Sequence, residues 1–213
     1  MTKVKICGLR RLEDVDAVNR ALPDFVGFVF AASRRRVDVA TAARLRERLD
    51  RRIQAVGVFV NQDVEFIAAL CRDGVIDVAQ LHGDEDGEYI GRLRACCGCP
   101  VIKTVGIDGG VDGSRGVGGR VGVADALPAG VEYVLFDTAS AARGGVGRTF
   151  DWRVLVGYAG PPYFLAGGLS VANVTDAIRT LSPFAVDVSS GVETDGAKDA
   201  AKIEQFVKLV RAT

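Results

Sequence analysis

The chain of 213 residues is 48% hydrophobic, enough to bury a full core, and a single domain spanning 1–213 is the expectation. Lys+Arg and Asp+Glu are equal at 27 each, so no cationic surplus exists to neutralise a phosphate backbone or an anionic membrane, and neither nucleic acid nor membrane is expected as a partner. The N-terminal MTKVKICG lacks the apolar core of a signal peptide, and no stretch approaches the ~18 apolar residues of a membrane span, so a cytoplasmic protein is expected. An odd number of cysteines, five, fits reduced thiols rather than a disulfide framework.

Short β-branched and aliphatic runs recur along the chain, each followed by a stretch with helical periodicity, which predicts repeated βα units and a parallel sheet. In chain order they are 4–7 (VKIC), 25–30 (FVGFVF), 55–60 (AVGVFV), 78–82 (VAQLH), 101–105 (VIKTV), 133–138 (YVLFDT), 163–166 (YFLA) and 185–189 (AVDVS). Between them lie helix faces such as Val64, Ile67, Ala68 and Cys71, then Val171, Val174, Ile178 and Leu181, and finally Ile203, Phe206, Val207 and Val210. Asp63 and Ser170 stand where N-caps are expected. Eight units predict an α/β fold, a (β/α)8 TIM barrel in one domain, with little room for insertions against the ~250 residues usual for it. A doubly wound sheet would carry a glycine fingerprint after strand one, where this chain has Gly8-Leu9-Arg10-Arg11. Two glycine-rich stretches, 109–122 and 144–148, read as a mobile loop and a flexible flap beside Asp137.

Side chains alternate across a strand, so each strand of a barrel has one face toward the helices and one inward. Val4 and Ile6 oppose Lys5 and Cys7; Ala79 and Leu81 oppose Gln80 and His82; Val134 and Phe136 oppose Leu135 and Asp137; Val186 and Val188 oppose Asp187 and Ser189. Cys7, His82, Asp137 and Ser189 therefore point inward at C-terminal strand ends, where barrel active sites are assembled. Each alone reads as a packed cysteine, a satisfied core histidine or a turn cap; four polar groups converging on one rim point to a site.

Strand seven runs into Ala166-Gly167-Gly168-Leu169-Ser170 and strand eight into Ser189-Ser190-Gly191. Bare amides at such turns suit an anion, and this barrel often binds phosphate there, although the glycines also serve tight turns. Cys96-Cys97-Gly98-Cys99 reads as a helix end before Pro100 rather than a metal site, because a closed zinc site wants four ligands and the chain has one histidine. No metal and no cofactor are expected.

Taken in order, Lys5-Ile6-Cys7-Gly8, Gly27-Phe28-Val29-Phe30 with Ser33-Arg34-Arg35, residues 56–61 (VGVFVN), Gln80-Leu81-His82-Gly83, Phe136-Asp137-Thr138, Gly144-Gly145-Val146-Gly147 before Phe150-Asp151-Trp152, Gly167-Gly168-Leu169 with Asn173-Val174, and residues 186–193 (VDVSSGVE) resemble successive blocks of the phosphoribosylanthranilate isomerases. The resemblance implies an Amadori rearrangement of a phosphosugar in tryptophan biosynthesis, without metal or organic cofactor. It implies Cys7 as general base, Asp137 as general acid, and Arg35, His82, Gly167, Gly168, Asp187, Ser189, Ser190 and Gly191 as substrate-binding. A thiol with that role needs cationic neighbours that lower its pKa, with Lys5 the candidate, whereas Asp137 needs a desolvated setting that keeps its proton. Ala166 departs from the serine usual before Gly167-Gly168.

The family pattern S-x-R-x-V falls on Ser33, Arg35 and Val37 and selects Arg35 for the anthranilate carboxylate, whereas counting without a gap from Gly27 selects Arg36. Two other readings compete. A histidine-pathway isomerase on the same barrel would place an aspartate where this chain has Cys7, and a non-catalytic phosphate-binding barrel would not need both Cys7 and Asp137. Monomer and homodimer are both open.

Overall fold

The computed structural model describes residues 1–107, 127–138 and 150–213. The stretches 109–122 and 144–148, read above as a loop and a flap, lie outside the described residues. Eight parallel strands close into a barrel in sequence order: β1 (Lys3–Cys7), β2 (Phe25–Val29), β3 (Gln54–Phe59), β4 (Val78–Leu81), β5 (Val101–Ile107), β6 (Tyr133–Thr138), β7 (Tyr163–Leu165) and β8 (Ala185–Val188), which pairs back with β1. All eight expected runs are strands.

Six helices are described around them: α1 (Leu12–Ala21), α2 (Val39–Arg48), α3 (Val64–Arg72), α4 (Gly87–Cys97), α5 (Val174–Leu181) and α6 (Ala200–Ala212). The connection after β6 departs from the expected helical unit, its described part holding only a 3-10 turn, Trp152–Leu155. A short hairpin, β9 (Glu193–Thr194) and β10 (Ala197–Lys198), stands between β8 and α6. Among the described residues no helix is long and apolar enough to cross a membrane.

Four of the six described helices, α2, α3, α4 and α6, start where an aspartate side chain accepts a backbone amide. Asp63 takes the Glu65 and Phe66 amides at 2.9 and 3.3 Å, and Asp199 takes those of Ala201 and Lys202, caps that each contribute about 1 kcal/mol. Ser170 Oγ accepts the Ala172 amide at 3.3 Å, but what it opens is a turn and not α5 itself. Residues 171–173 form a turn and α5 starts at Val174; Asn173 Oδ1 takes the Ser170 amide and its Nδ2 donates to Gly168 O, so the asparagine folds the chain back before the helix begins.

Strand alternation divides the core into two layers. Val4, Ile6, Ala79, Leu81, Val134, Phe136, Val186 and Val188 pack outward with helix residues such as Ile67, Leu93, Phe206 and Val210. Phe25, Val56, Val78, Ile102, Leu135, Phe164 and Ala185 fill the interior, with Phe25 edge-on to Phe164 at 5.3 Å. Above that apolar plug, toward the C-terminal strand ends, the interior turns polar.

Candidate active site

Alternation on β1 turns Lys5 and Cys7 inward, and the β1–β8 register sets Lys5 beside Asp187. Lys5 is fully buried, with its Nζ 3.0 Å from Asp187 Oδ2. Burial opposes its charge, but Asp187 and Cys7 outweigh burial and raise its pKa. The other carboxylate oxygen, Asp187 Oδ1, is buried with no hydrogen-bond partner. Cys7 lies above them at the end of β1, where Gly27 on β2 makes room: a Cβ there would sit 2.6 Å from the Cys7 sulfur.

Asp137 is the last residue but one of β6 and is mostly buried. Burial, reinforced by Asp187, raises its pKa to about 6, against the pull of the Thr138 amide and Lys5. This is the setting the sequence reading asked for. The thiol is different. Lys5 acts to lower the Cys7 pKa, as expected of it, but burial is larger and the net shift is upward. His82 approaches the acid from β4, its Nε2 3.8 Å from Asp137 Oδ2, while its Nδ1 lies 3.2 Å from both Gln80 Nε2 and Thr104 Oγ1.

Arg35 follows β2 and is buried, whereas Arg36 is exposed and the Arg34 side chain is 59% exposed. The Arg35 guanidinium reaches Glu193 with two bonds, Nε to Oε1 at 2.7 Å and Nη2 to Oε2 at 3.0 Å. Lys198 joins the same carboxylate at 2.9 Å and donates to Ser189 O at 2.9 Å. Burial works against the Glu193 charge, yet Arg35 and Lys198 prevail and hold its pKa at about 2. Gly8, with φ +86°, lets this arm lie close behind Cys7, since a Cβ there would meet Arg35 Cδ at 2.5 Å.

The loops after β7 and β8 touch. Gly191 carries no side chain because a Cβ would fall 2.0 Å from Leu169 O. Gly167 takes φ +82° against Thr138 and Asp137, and Gly168 takes φ +65°. Ser189 spends its hydroxyl on the Cys7 carbonyl at 2.9 Å, tying the β8 end to the β1 end. Ser190 and Gly191 open a three-residue 3-10 turn, and the helix expected after strand eight from Ile203, Phe206, Val207 and Val210 follows as α6.

The structure thus gathers Cys7, Arg35, His82, Asp137, Gly167, Gly168, Asp187, Ser189, Ser190 and Gly191 around one mouth. Sequence reasoning missed four residues that hold it in shape. Glu193 closes the 186–193 stretch (VDVSSGVE), and Lys198 sits on a hairpin with no periodic signal. Lys103 and Glu85 form a buried pair at 2.8 Å whose ammonium also binds Gly83 O, bracing the loop after His82; a lysine within an aliphatic strand was the signal available.

A closed (β/α)8 barrel whose C-terminal mouth collects a thiol, an acid of raised pKa and two glycine turns defines a barrel enzyme of the phosphosugar-isomerase kind. The family model for N-(5'-phosphoribosyl)anthranilate (PRA) isomerase matches residues 4–209, and the chain belongs to that family of enzymes of tryptophan biosynthesis. It is 46% identical over 213 residues to the N-(5'-phosphoribosyl)anthranilate isomerase of Endomicrobium trichonymphae, covering 100% of both chains. It superposes on the crystal structure of phosphoribosyl anthranilate isomerase from Thermotoga maritima with a TM-score of 0.83, 36% identity and 100% of each chain covered. A further solved structure of the isomerase, in complex with reduced 1-(o-carboxyphenylamino)-1-deoxyribulose 5-phosphate, matches with a TM-score of 0.78, 33% identity and 100% of each chain covered.

Proposed function

We propose that this chain converts N-(5'-phosphoribosyl)anthranilate to 1-(2-carboxyphenylamino)-1-deoxyribulose 5-phosphate, with Asp137 as general acid and Cys7 as general base. The observation that carries the reading is a carboxyl whose pKa is raised to about 6 in the same mouth as a thiol backed by a buried lysine. Asp137 gives its proton to the furanose ring oxygen as the C1–O bond breaks and the anilino nitrogen lone pair forms a protonated Schiff base. Cys7, as thiolate, takes the C2 proton; the released electron pair makes the C1=C2 bond and neutralises the nitrogen. The enolamine then tautomerises to the C2 ketone.

An acid near neutrality is matched to donating at pH 7. The raised thiol calls for help at the moment of need, and the iminium charge beside it favours the thiolate just as the C2 proton becomes acidic. His82 steadies the carboxylate that Asp137 leaves. The open oxygen of Asp187 accepts a sugar hydroxyl, which satisfies its buried lone pairs. Arg35 takes the anthranilate carboxylate through donors not engaged by Glu193, and its placement against Gly8, with Arg36 exposed, favours it over Arg36. The phosphate sits on the turns at Gly167, Gly168, Ser189, Ser190 and Gly191. The test is the loss of phosphoribosylanthranilate fluorescence on adding enzyme in the presence of a metal chelator. Steady loss supports the reading, and unchanged fluorescence refutes it.

A further inference from the structure

Three thiols meet on the far side of the barrel from the active mouth. Cys71 stands in the last turn of α3, Cys97 ends α4, and Cys99 precedes Pro100 at the start of β5. Helices run back against the strands, so all three lie at the N-terminal face. Gly98, the left-handed cap of α4 with φ 62°, folds the chain so that Cys97 and Cys99 share one side of a tight turn. Cys71 arrives across the α3–α4 contact and interacts with both. The three sulfurs all lie within 4.8 Å of one another.

From this convergence we propose that Cys71, Cys97 and Cys99 bind one divalent metal ion of the zinc class, with water as the fourth ligand. Three sulfurs at the usual ~2.3 Å from zinc are about 3.8 Å apart, so small side-chain rotations close the set. Cys71 and Cys97 are only partly buried, which leaves a path for the ion and room for the water. The thiols now donate outward, Cys97 to Leu93 O at 3.4 Å and Cys99 to Asp77 O at 3.4 Å. Binding replaces these S–H bonds by three metal–sulfur bonds and releases three protons to solvent. Cys96 is not a member, its sulfur turning to Glu65 Oε1 at 3.4 Å. Spacing along 96–99 alone offered too few ligands; the missing one comes from a helix 26 residues earlier than Cys97, which no local motif reveals.

The site clamps α3 to α4 and to the foot of β5, away from the chemistry, so its effect is on stability. The reduced full-length protein is titrated with Cd2+, and the ultraviolet sulfur-to-metal charge-transfer band is followed. One equivalent is expected in the wild type, in Cys7→Ala and in Cys96→Ser. In Cys71→Ser and Cys97→Ser, whose partly exposed positions tolerate serine, affinity is expected to fall by at least about 100-fold, the upper cost of losing even an outer-shell partner. Zn2+ is expected to raise the Tm of the wild type and not of those two variants. Equal Cd2+ binding by Cys71→Ser, or no band in the reduced wild type, overturns the proposal.

Discussion

Lys5 Nζ lies 3.0 Å from Asp187 Oδ2, a fully buried cation held by the carboxylate that neighbours it in the barrel wall. Removing one partner of a buried pair leaves the other charge uncompensated, at a cost of about 3 to 5 kcal/mol. Lys5→Met is therefore expected to lower unfolding stability by that amount in urea melts, and Lys5→Met combined with Asp187→Leu to recover a large part of it. A neutral Lys5→Met would mean that water or rearrangement already screens Asp187.

Asp137 makes stability depend on pH. Its folded pKa, about 6, lies above the ordinary 3.8, so the native state keeps a proton that the unfolded chain has lost. The sign follows: its contribution is favourable at low pH and declines as pH rises from about 4 to about 6, by on the order of 3 kcal/mol. Asp137→Asn is expected to remove that decline, so the stability difference between variant and wild type grows in the variant's favour across this window and then levels off. Urea midpoints taken across the window check it, and parallel curves for the two proteins would show Asp137 to be unperturbed.

Cys7 is pushed up from its ordinary 9.0 by burial, with Lys5 next largest and opposing. Alkylation by iodoacetamide, followed by peptide mapping, is expected to show a midpoint for Cys7 above that value in the free enzyme. A midpoint below neutrality would mean that Lys5 and Lys198 dominate the thiol.

The strands, their inward faces and the rim residues were legible because a two-residue period survives any tertiary context, and Cys7, His82, Asp137 and Ser189 each end an alternating run. Ser170 misled because a serine before an apolar residue has the same local chemistry whether it opens a helix or a turn; Asn173, three residues on, decides between them through its bonds to Ser170 and Gly168. The net direction at Cys7 was not legible because it is a contest between burial and charge, and sequence shows the charge but not the depth. Glu193 and Lys198 escaped for a related reason, since the hairpin that brings them to Arg35 leaves no periodic trace.

Arg35 and Arg36 separate by substitution. Arg35→Met is expected to lower kcat/KM by about one to two powers of ten, mostly through KM, because a charged hydrogen bond to the substrate carboxylate contributes roughly 1.5 to 3 kcal/mol. Arg36→Met and Arg34→Met, at exposed side chains, are expected to change it little. Steady-state kinetics of the three variants decide, and a loss confined to Arg36→Met would move the carboxylate site outward.

The proton-transfer pair is tested most directly by the rate at which Cys7→Ala consumes phosphoribosylanthranilate, read by fluorescence beside the wild type, with circular dichroism confirming the fold. Removing the base while leaving the barrel closed is expected to reduce kcat by at least about 1,000-fold, within the span of general base catalysis. Turnover by Cys7→Ala at the wild-type rate would place the base on another residue and contradict the assignment.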